Sequence, residues 1–521
     1  MAASDSPALT RPPKGTFRLA GRLFPRVSWF KDPNIRLLNF YIFCLITTNI
    51  ANGFDGSMMN GLQSLVYWQD YFNHPSGSLL GLFSGIMSVG SLVALPLVPP
   101  LIDTFGRRSG IIIGSLFMIL GTGLQAGATN FSMFIAARFF LGFGDVIAVT
   151  TGPLLIAEIA HPQHRALLVT FHAICYHLGA FIAAWVTYGT LKIESNWAWR
   201  TPSLLQGTFN VLILAVILFI PESPRYYISK DQPEKALRLL AHYHGNGNQN
   251  DEVVQLEFNE ITTSIALDKD AANKSSWLDF LRTPGNRKRL AILVAVGVFS
   301  QWSGNGLISY YLNIILDNIG ITNPNTQLLI NGAITTFNLV TNTFFGFFVD
   351  RVGRRPIYLV STGGTLVAFV IWTIISARYS VAPQDGLGIG VVVMIFVYNF
   401  FYNVKSGLLG SYSTEILPYG LRAKGFTLLY ICLYAALFFN QYVNPVALDN
   451  ISWKYYIFYC CFLAFELVFV WYFIVETRYT PLEEISKLFD GDDVVELANL
   501  ELKKKDVEHV EGAEAREIPV A

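Results

Sequence analysis

Twelve stretches of about twenty mostly apolar residues follow one another along the chain, each long enough for a helix to cross a hydrocarbon core. Six lie near 38–58, 78–99, 111–128, 131–157, 167–189 and 201–220, and six near 290–316, 327–349, 356–376, 387–413, 423–445 and 455–474. Between the sixes runs a charged segment, 221–289, in which QPEKALRLLAHYH and VVQLEFNEITTSI have helical periodicity and predict short helices outside the membrane. The expected organisation is an all-α membrane protein: a tail (1–37), a six-helix half (38–220), a helical linker (221–289), a second six-helix half (290–474) and a second tail (475–521). The polar start has no short apolar core with a cleavage site, so the first crossing helix is expected to act as the targeting signal.

One stretch breaks the apolar pattern in an informative way. Asn49 to Gln63 reads NIANGFDGSMMNGLQ and puts Asp55 where a bilayer would be, with Asn49, Asn52, Gly56, Asn60 and Gln63 near it at helical spacing. An ionised side chain at the bilayer centre costs roughly 3 kcal/mol, so it demands a partner or a task. A polar, small-residue stripe on one helix is expected to face a water-filled path rather than lipid.

Composition agrees: of 521 residues, 52% are hydrophobic and 14% charged, too apolar for a soluble enzyme of this length. The formal net charge is zero and the basic residues lie in connectors, which argues against a nucleic-acid partner. Cys44, Cys175, Cys432, Cys460 and Cys461 all fall in apolar segments without metal-ligand spacing, so no disulfide framework, zinc site or cofactor is expected. Arginines and lysines crowd the first tail and alternate connectors (Arg107, Arg108, Arg165, Arg351, Arg354, Arg355, Arg422, Lys424), which predicts that both termini and the linker are cytoplasmic.

The two sixes repeat each other. Asp103, Gly106, Arg107 and Arg108 recur with the same spacing as Asp350, Gly353, Arg354 and Arg355, and EIAHPQHR (Glu158 to Arg165) recurs as EILPYGLR (Glu415 to Arg422). Parallel six-helix repeats with a path at their interface are the architecture of major facilitator transporters. Together with Arg138-Phe-Phe-Leu-Gly-Phe-Gly, PESPR and ETRYTPLEEI, these turns resemble the sugar porter family of that superfamily. QWSGNGLISYYL, GFDGSMMNGLQ and NQYVNP resemble its fungal branch of lactose-permease-like and cellodextrin-like carriers.

The resemblance implies that Asp55 and Arg138 couple a proton to transport, and that Asp103, Arg107, Arg108, Glu158, Arg165, Asp350, Arg354, Arg355, Glu415 and Arg422 form a cytoplasmic gate. Sugar hydroxyls need amides in an aromatic-walled pocket. Gln301, Asn305 and Tyr310 of the seventh span, Asn331, Thr335, Asn338 and Asn342 on one face of the eighth, and Asn440, Gln441 and Asn444 of the eleventh supply them. Asp145 and Lys405 are charges at unexpected depth, expected to pair across the halves or to hold a charged substrate, and His172 and His177 lie in the fifth span.

Departures from the family pattern point away from a plain glucose carrier. Ala173 stands where the fifth span usually has Gln, Gly410 precedes Glu415 without the usual Pro and Trp, and Gly306 replaces the usual Asn of the seventh span. The expected activity is therefore proton symport of a sugar or glycoside across the plasma membrane by a monomer, with no enzyme chemistry. The alternatives are transport of a polyol, sugar acid or secondary metabolite, and a non-transporting nutrient receptor.

Overall fold

In the computed structural model, residues 13–490 are described, apart from 14, 20, 21, 275, 347–351, 479–484, 486 and 487. Asp32 starts the first crossing helix, α1 (Pro33–Gln63): its Oδ1 accepts from the Asn34 and Ile35 N–H groups at 2.9 and 3.4 Å, and Pro33 supplies a preset helical φ. The remaining passes of the first half are α2 (Gly77–Phe105), α3 (Arg107–Ala126), α4 (Phe131–Ile159), α5 (Arg165–Thr190) and a split sixth, α6 (Trp197–Leu205) with α7 (Thr208–Ile217). Linker helices α8 (Pro233–His244) and α9 (Glu252–Lys274) follow. The second half comprises α10 (Pro284–Trp302) with α11 (Asn305–Asp317), α12 (Pro324–Gly346), α13 (Arg354–Val381), α14 (Asp385–Val404) with α15 (Leu408–Ile416), α16 (Arg422–Ile451) and α17 (Tyr455–Phe473).

These helices make up twelve passes, each overlapping its expected window, in the major facilitator fold. What apolarity did not predict is where passes break. The seventh is interrupted at Ser303–Gly304, with Gly304 at φ +97°, and the tenth between Lys405 and Gly407.

Close helix contact rests on glycine. A Cβ on Gly53 would lie 1.8 Å from the Tyr176 carbonyl oxygen, and one on Gly179 2.0 Å from that of Ile50, so α1 and α5 approach backbone to backbone.

The repeated Gly-Arg-Arg turns share one construction. Gly106 (φ +93°) and Gly353 (φ +106°) each precede a helix whose first N–H groups have no helical acceptor. Glu222 accepts from the Arg107 and Arg108 N–H groups, both at 3.1 Å, and Glu476 from those of Arg354 and Arg355 at 2.9 and 3.1 Å. The carboxylate that follows each sixth pass thus caps the third helix of its own half.

Part of the N-terminal tail is a β-hairpin, β1 (Thr16–Leu19) with β2 (Arg22–Pro25), paired Thr16 to Pro25 and Leu19 to Arg22. It docks on the linker: Arg22 reaches Glu252 at 2.6 Å, and Phe17 meets the His161 ring edge-on at 5.5 Å. Beneath it, His244 Nδ1 lies 2.7 Å from Glu257, which also accepts from Arg165 at 2.8 Å.

Burial, then the neighbouring His244, pushes His161 from 6.5 down to about 3. Burial alone would raise Glu257, but His244 and Arg165 hold it below its ordinary value. Both shifts give stability that is complete above the unfolded-state values and is lost on acidification: from pH 6.5 downward for His161, and below the ordinary carboxylate range for Glu257. Thermal unfolding of the detergent-solubilised protein should therefore show a loss of about 2 kcal/mol between pH 7 and pH 5 from His161. His161→Gln should flatten that dependence.

Candidate functional site

The two halves enclose a cavity of about 480 Å³. Its lining runs from Asn60 and Asn331 at one end to Ile474, beside the Arg-rich turns, at the other. The first of these ends is sealed by α1 against α11. Asn60 Nδ2 donates to Ile308 O (3.2 Å) and Asn331 Oδ1 (3.1 Å), Asn60 Oδ1 accepts from Leu312 N–H (3.1 Å), and Gln63 Nε2 donates to Tyr310 O (2.9 Å).

The polar stripe of α1 does not act as one surface. Asn52, Gly56 and Asn60 line the cavity, whereas Asn49 donates to His172 O at 2.6 Å and binds α1 to α5. Asp55 is off the cavity wall, a correction to the expectation that it faces the path. It is fully buried and accepts from Arg138 Nη1 at 2.6 Å, with its second oxygen and Arg138 Nε unpartnered. The two residues that the resemblance links are thus paired, inside the first half.

Among the amides, Gln301, Asn305, Asn331, Asn338 and Gln441 line the cavity with Thr335 and Tyr310. Gln441 Oε1 accepts from Ser88 Oγ of α2 at 2.6 Å, a bond across the halves. Asn338 Oδ1 accepts from Asn403 at 2.8 Å, and Asn342 donates to Asn338 O at 2.8 Å without lining the cavity. Asn440 and Asn444, expected to bind substrate, do not line it. Asn440 donates to Gln301 O (2.6 Å), and both amide oxygens accept from the Tyr459 hydroxyl (3.0 and 2.8 Å). The glycine at 306 is the reason: Asn440 fills that space, and a Cβ there would lie 2.3 Å from its Nδ2.

Lys405 and Asp145 both line the cavity but do not pair, contrary to one expectation. Lys405 Nζ lies 2.7 Å from Glu466 of α17 and donates to Ser303 Oγ at 3.0 Å; Ser303 Oγ also donates to Glu466 at 2.8 Å. Tyr398 and Tyr402 donate to the carbonyls of Ser303 and Ser300 at 2.8 and 2.7 Å. One ion pair with its hydrogen bonds therefore ties the break in the seventh pass to the break in the tenth. Glu466 escaped the sequence reading, although an acid inside the apolar stretch CFLAFELVFVW (461–471) is as strong a signal as Asp55. His172 lies 3.3 Å from Thr48 Oγ1 behind the wall, and His177 lines the cavity.

The Arg-rich turns form ion pairs within each half. Arg107 Nε donates to Glu158 at 3.0 Å and approaches Asp103 at 3.6 Å, and Arg354 Nη2 donates to Glu415 at 2.8 Å. Arg108 and Arg355 donate to the carbonyls of Leu218 and Trp471, both at 2.9 Å, Arg165 joins the linker through Glu257, and Arg422 donates to Leu417 O at 3.3 Å. Asp350 lies outside the described residues. No cluster of three or more His, Cys, Asp or Glu suited to a metal occurs among the described residues.

A cavity at the interface of two six-helix halves, walled by amides and tyrosines, defines a multi-pass membrane carrier of the major facilitator fold rather than an enzyme. The profile of the family described as "Sugar (and other) transporter" matches residues 41–489, and the chain belongs to that family. It is 26% identical over 468 residues to the MFS-type transporter criB of Aspergillus cristatus (89% of this chain, 96% of that one). It is 27% identical over 496 residues to the high-affinity glucose transporter of Kluyveromyces lactis (91% and 87%). Its fold matches the inward-open xylose transporter XylE from E. coli with a TM-score of 0.71 at 21% identity, covering 87% of this chain and 100% of that one.

Removing Lys405 leaves Glu466 buried without its counter-charge. Lys405→Met should lower stability by about 3–5 kcal/mol, and the double variant Lys405→Met/Glu466→Leu should recover most of it. Thermal unfolding of the three proteins measures this. Equal losses in the single and double variants would mean that packing rather than charge pairing holds the two breaks together.

Proposed function

We propose that the protein is a secondary active carrier that moves a sugar or glycoside through the central cavity by alternating access, together with a proton. It works in this reading as a monomer in the plasma membrane with both termini cytoplasmic, the side to which its connector arginines and lysines assign them. The observation that carries the reading is a cavity wall rich in amides with unmatched polar atoms. Asn305 Oδ1 and Asn331 Nδ2 have no partner in the protein, and Gln301 and Gln441 stand near them. Buried polar atoms without partners are costly. A polyhydroxyl ligand offers both donors and acceptors to meet them, while Tyr310, Tyr176 and Tyr434 supply flat walls for a sugar face.

Proton coupling follows from Asp55 and Arg138. Protonating Asp55 removes the attraction that holds Arg138 and so changes the energy of one state relative to the other. The relative XylE is described as a proton:xylose symporter. The ion pairs of the Arg-rich turns act in this reading as the cytoplasmic gate, stiffening each half at that end so that the halves rock as bodies. A polyol, sugar acid or secondary metabolite is the second reading, favoured by the charges of Asp145, Lys405 and Glu466 in the cavity wall.

Counterflow of labelled mono- and disaccharides in proteoliposomes, with and without a pH gradient, tests the substrate class. Gln301→Ala should raise KM for the carried sugar about 10-fold, the loss of roughly one good hydrogen bond pair; an unchanged KM would take Gln301 out of the site. Asp55→Asn should retain exchange and lose accumulation driven by the pH gradient. Accumulation at wild-type level in that variant would assign the Asp55–Arg138 pair a purely structural role.

A further inference from the structure

Among the described acids inside the bundle, Asp55 is bonded to Arg138 and Glu466 to Lys405, while Asp145 of α4 has no hydrogen bond or ion pair. Asp145 is 3% exposed, with Oδ1 buried and unpartnered, and it lines the cavity.

The groups around it are few. Among the described residues, Arg138, two turns earlier on the same helix, is the cation that acts on it, and its guanidinium is bonded to Asp55 rather than to Asp145. Tyr176 of α5, Tyr310 of α11 and Tyr434 of α16 also lie within its field, and none of them is a cation. The faces of α2 and α3 that pack on α4 bring Met87, Ser88 and Ser91, and Ile111, Ser115 and Met118, all uncharged. His172 is turned to Thr48, and His177 contributes no bond to Asp145. Lys405 is held by Glu466 and Ser303.

We propose that Asp145 is a second proton-carrying group of the carrier, on the cavity wall and separate in role from the Asp55–Arg138 pair. While the cavity holds water, an ionised Asp145 is solvated. When the halves close and the water leaves, an unpaired carboxylate in that setting is strongly disfavoured, so the occluded state requires a neutral acid. The step is a plain protonation: a proton from the solution on one side forms an O–H bond at a carboxylate oxygen, and the same bond breaks when the cavity opens to the other side. The neutral acid also gains a donor, which an oxygen of a polyhydroxyl substrate accepts; that part rests on the function proposed above.

The test has a readout that does not need transport. Infrared difference spectra of full-length reconstituted Asp55→Asn protein, taken on acidification, should contain the carbonyl stretch of a buried neutral carboxylic acid, which the added change Asp145→Asn should remove. In proteoliposomes, substrate accumulation at imposed pH gradients gives protons per substrate, and Asp145→Asn should lower that ratio by one. That band surviving unchanged in Asp55→Asn/Asp145→Asn would overturn the proposal. So would an amine-bearing sugar that wild type exchanges and Asp145→Asn does not, with no band that depends on Asp145, since Asp145 would then be an ammonium site. Failure of every sugar in counterflow would sink the proposed substrate class while leaving the infrared result to decide on Asp145.

Discussion

The bundle is governed by one constraint: a polar group inside it has no bulk water or lipid headgroup to turn to, so another side chain, a backbone carbonyl or the cavity must satisfy it. Among the described residues, each half has a buried ion pair deep between its passes, Asp55 with Arg138 in the first and Lys405 with Glu466 in the second. Their locations differ in a way that bears on mechanism. The first pair joins α1 to α4 behind the cavity wall, out of the lining, whereas the second lies on the wall itself and spans two helix breaks. A change of charge in the first half would therefore act on helix packing, and one in the second on the shape of the path.

The two-fold repetition of the Gly-Arg-Arg turns shows how each half is tied within itself. In each, a positive-φ glycine lets the chain reverse, two backbone N–H groups at a helix start meet a carboxylate from the end of the sixth pass, and an arginine side chain reaches the acid at the end of the fourth. All of these bonds begin and end within one half. Among the described residues, bonds that cross between the halves include neutral amides and hydroxyls such as Asn60 with Asn331 and Ser88 with Gln441. Neutral bonds contribute about 1 kcal/mol each where charge-assisted ones contribute more, so the interface between halves is the weaker seam and the one that can open.

Much of the architecture was legible in the sequence because bilayer crossing imposes length and apolarity on each pass, and a repeated motif marks the same structural position twice. The resemblance linked Asp55 with Arg138, and depth along a helix follows from residue count. Rotation about the helix axis does not follow from it. Asp55 was therefore placed on the path when it faces α4, and Asn440 and Asn444 were placed in the site when they face the Tyr459 hydroxyl. Helix breaks were likewise hidden, since Ser303–Gly304 and the turn after Lys405 lie within windows whose mean apolarity satisfies a span. The pairing of Lys405 depended on Glu466, an acid masked by the aromatic residues around it.

Those two breaks lie beside the cavity, with Ser300 and Lys405 on its wall. An unbroken helix satisfies its own N–H and C=O groups and presents only side chains, whereas at Ser303 and after Lys405 the backbone leaves the helical ladder and its polar groups need other partners. Tyr398 and Tyr402 answer the carbonyls of Ser303 and Ser300, and Lys405 and Glu466 answer the Ser303 hydroxyl. The segment beyond the first break, α11, is thereby freed to close on α1 through Asn60 and Gln63 without carrying α10 with it. A seal made by half a helix, hinged at a glycine in left-handed conformation, can part without disturbing the ion pair below it, which separates the closing of the path from the integrity of the half that forms it.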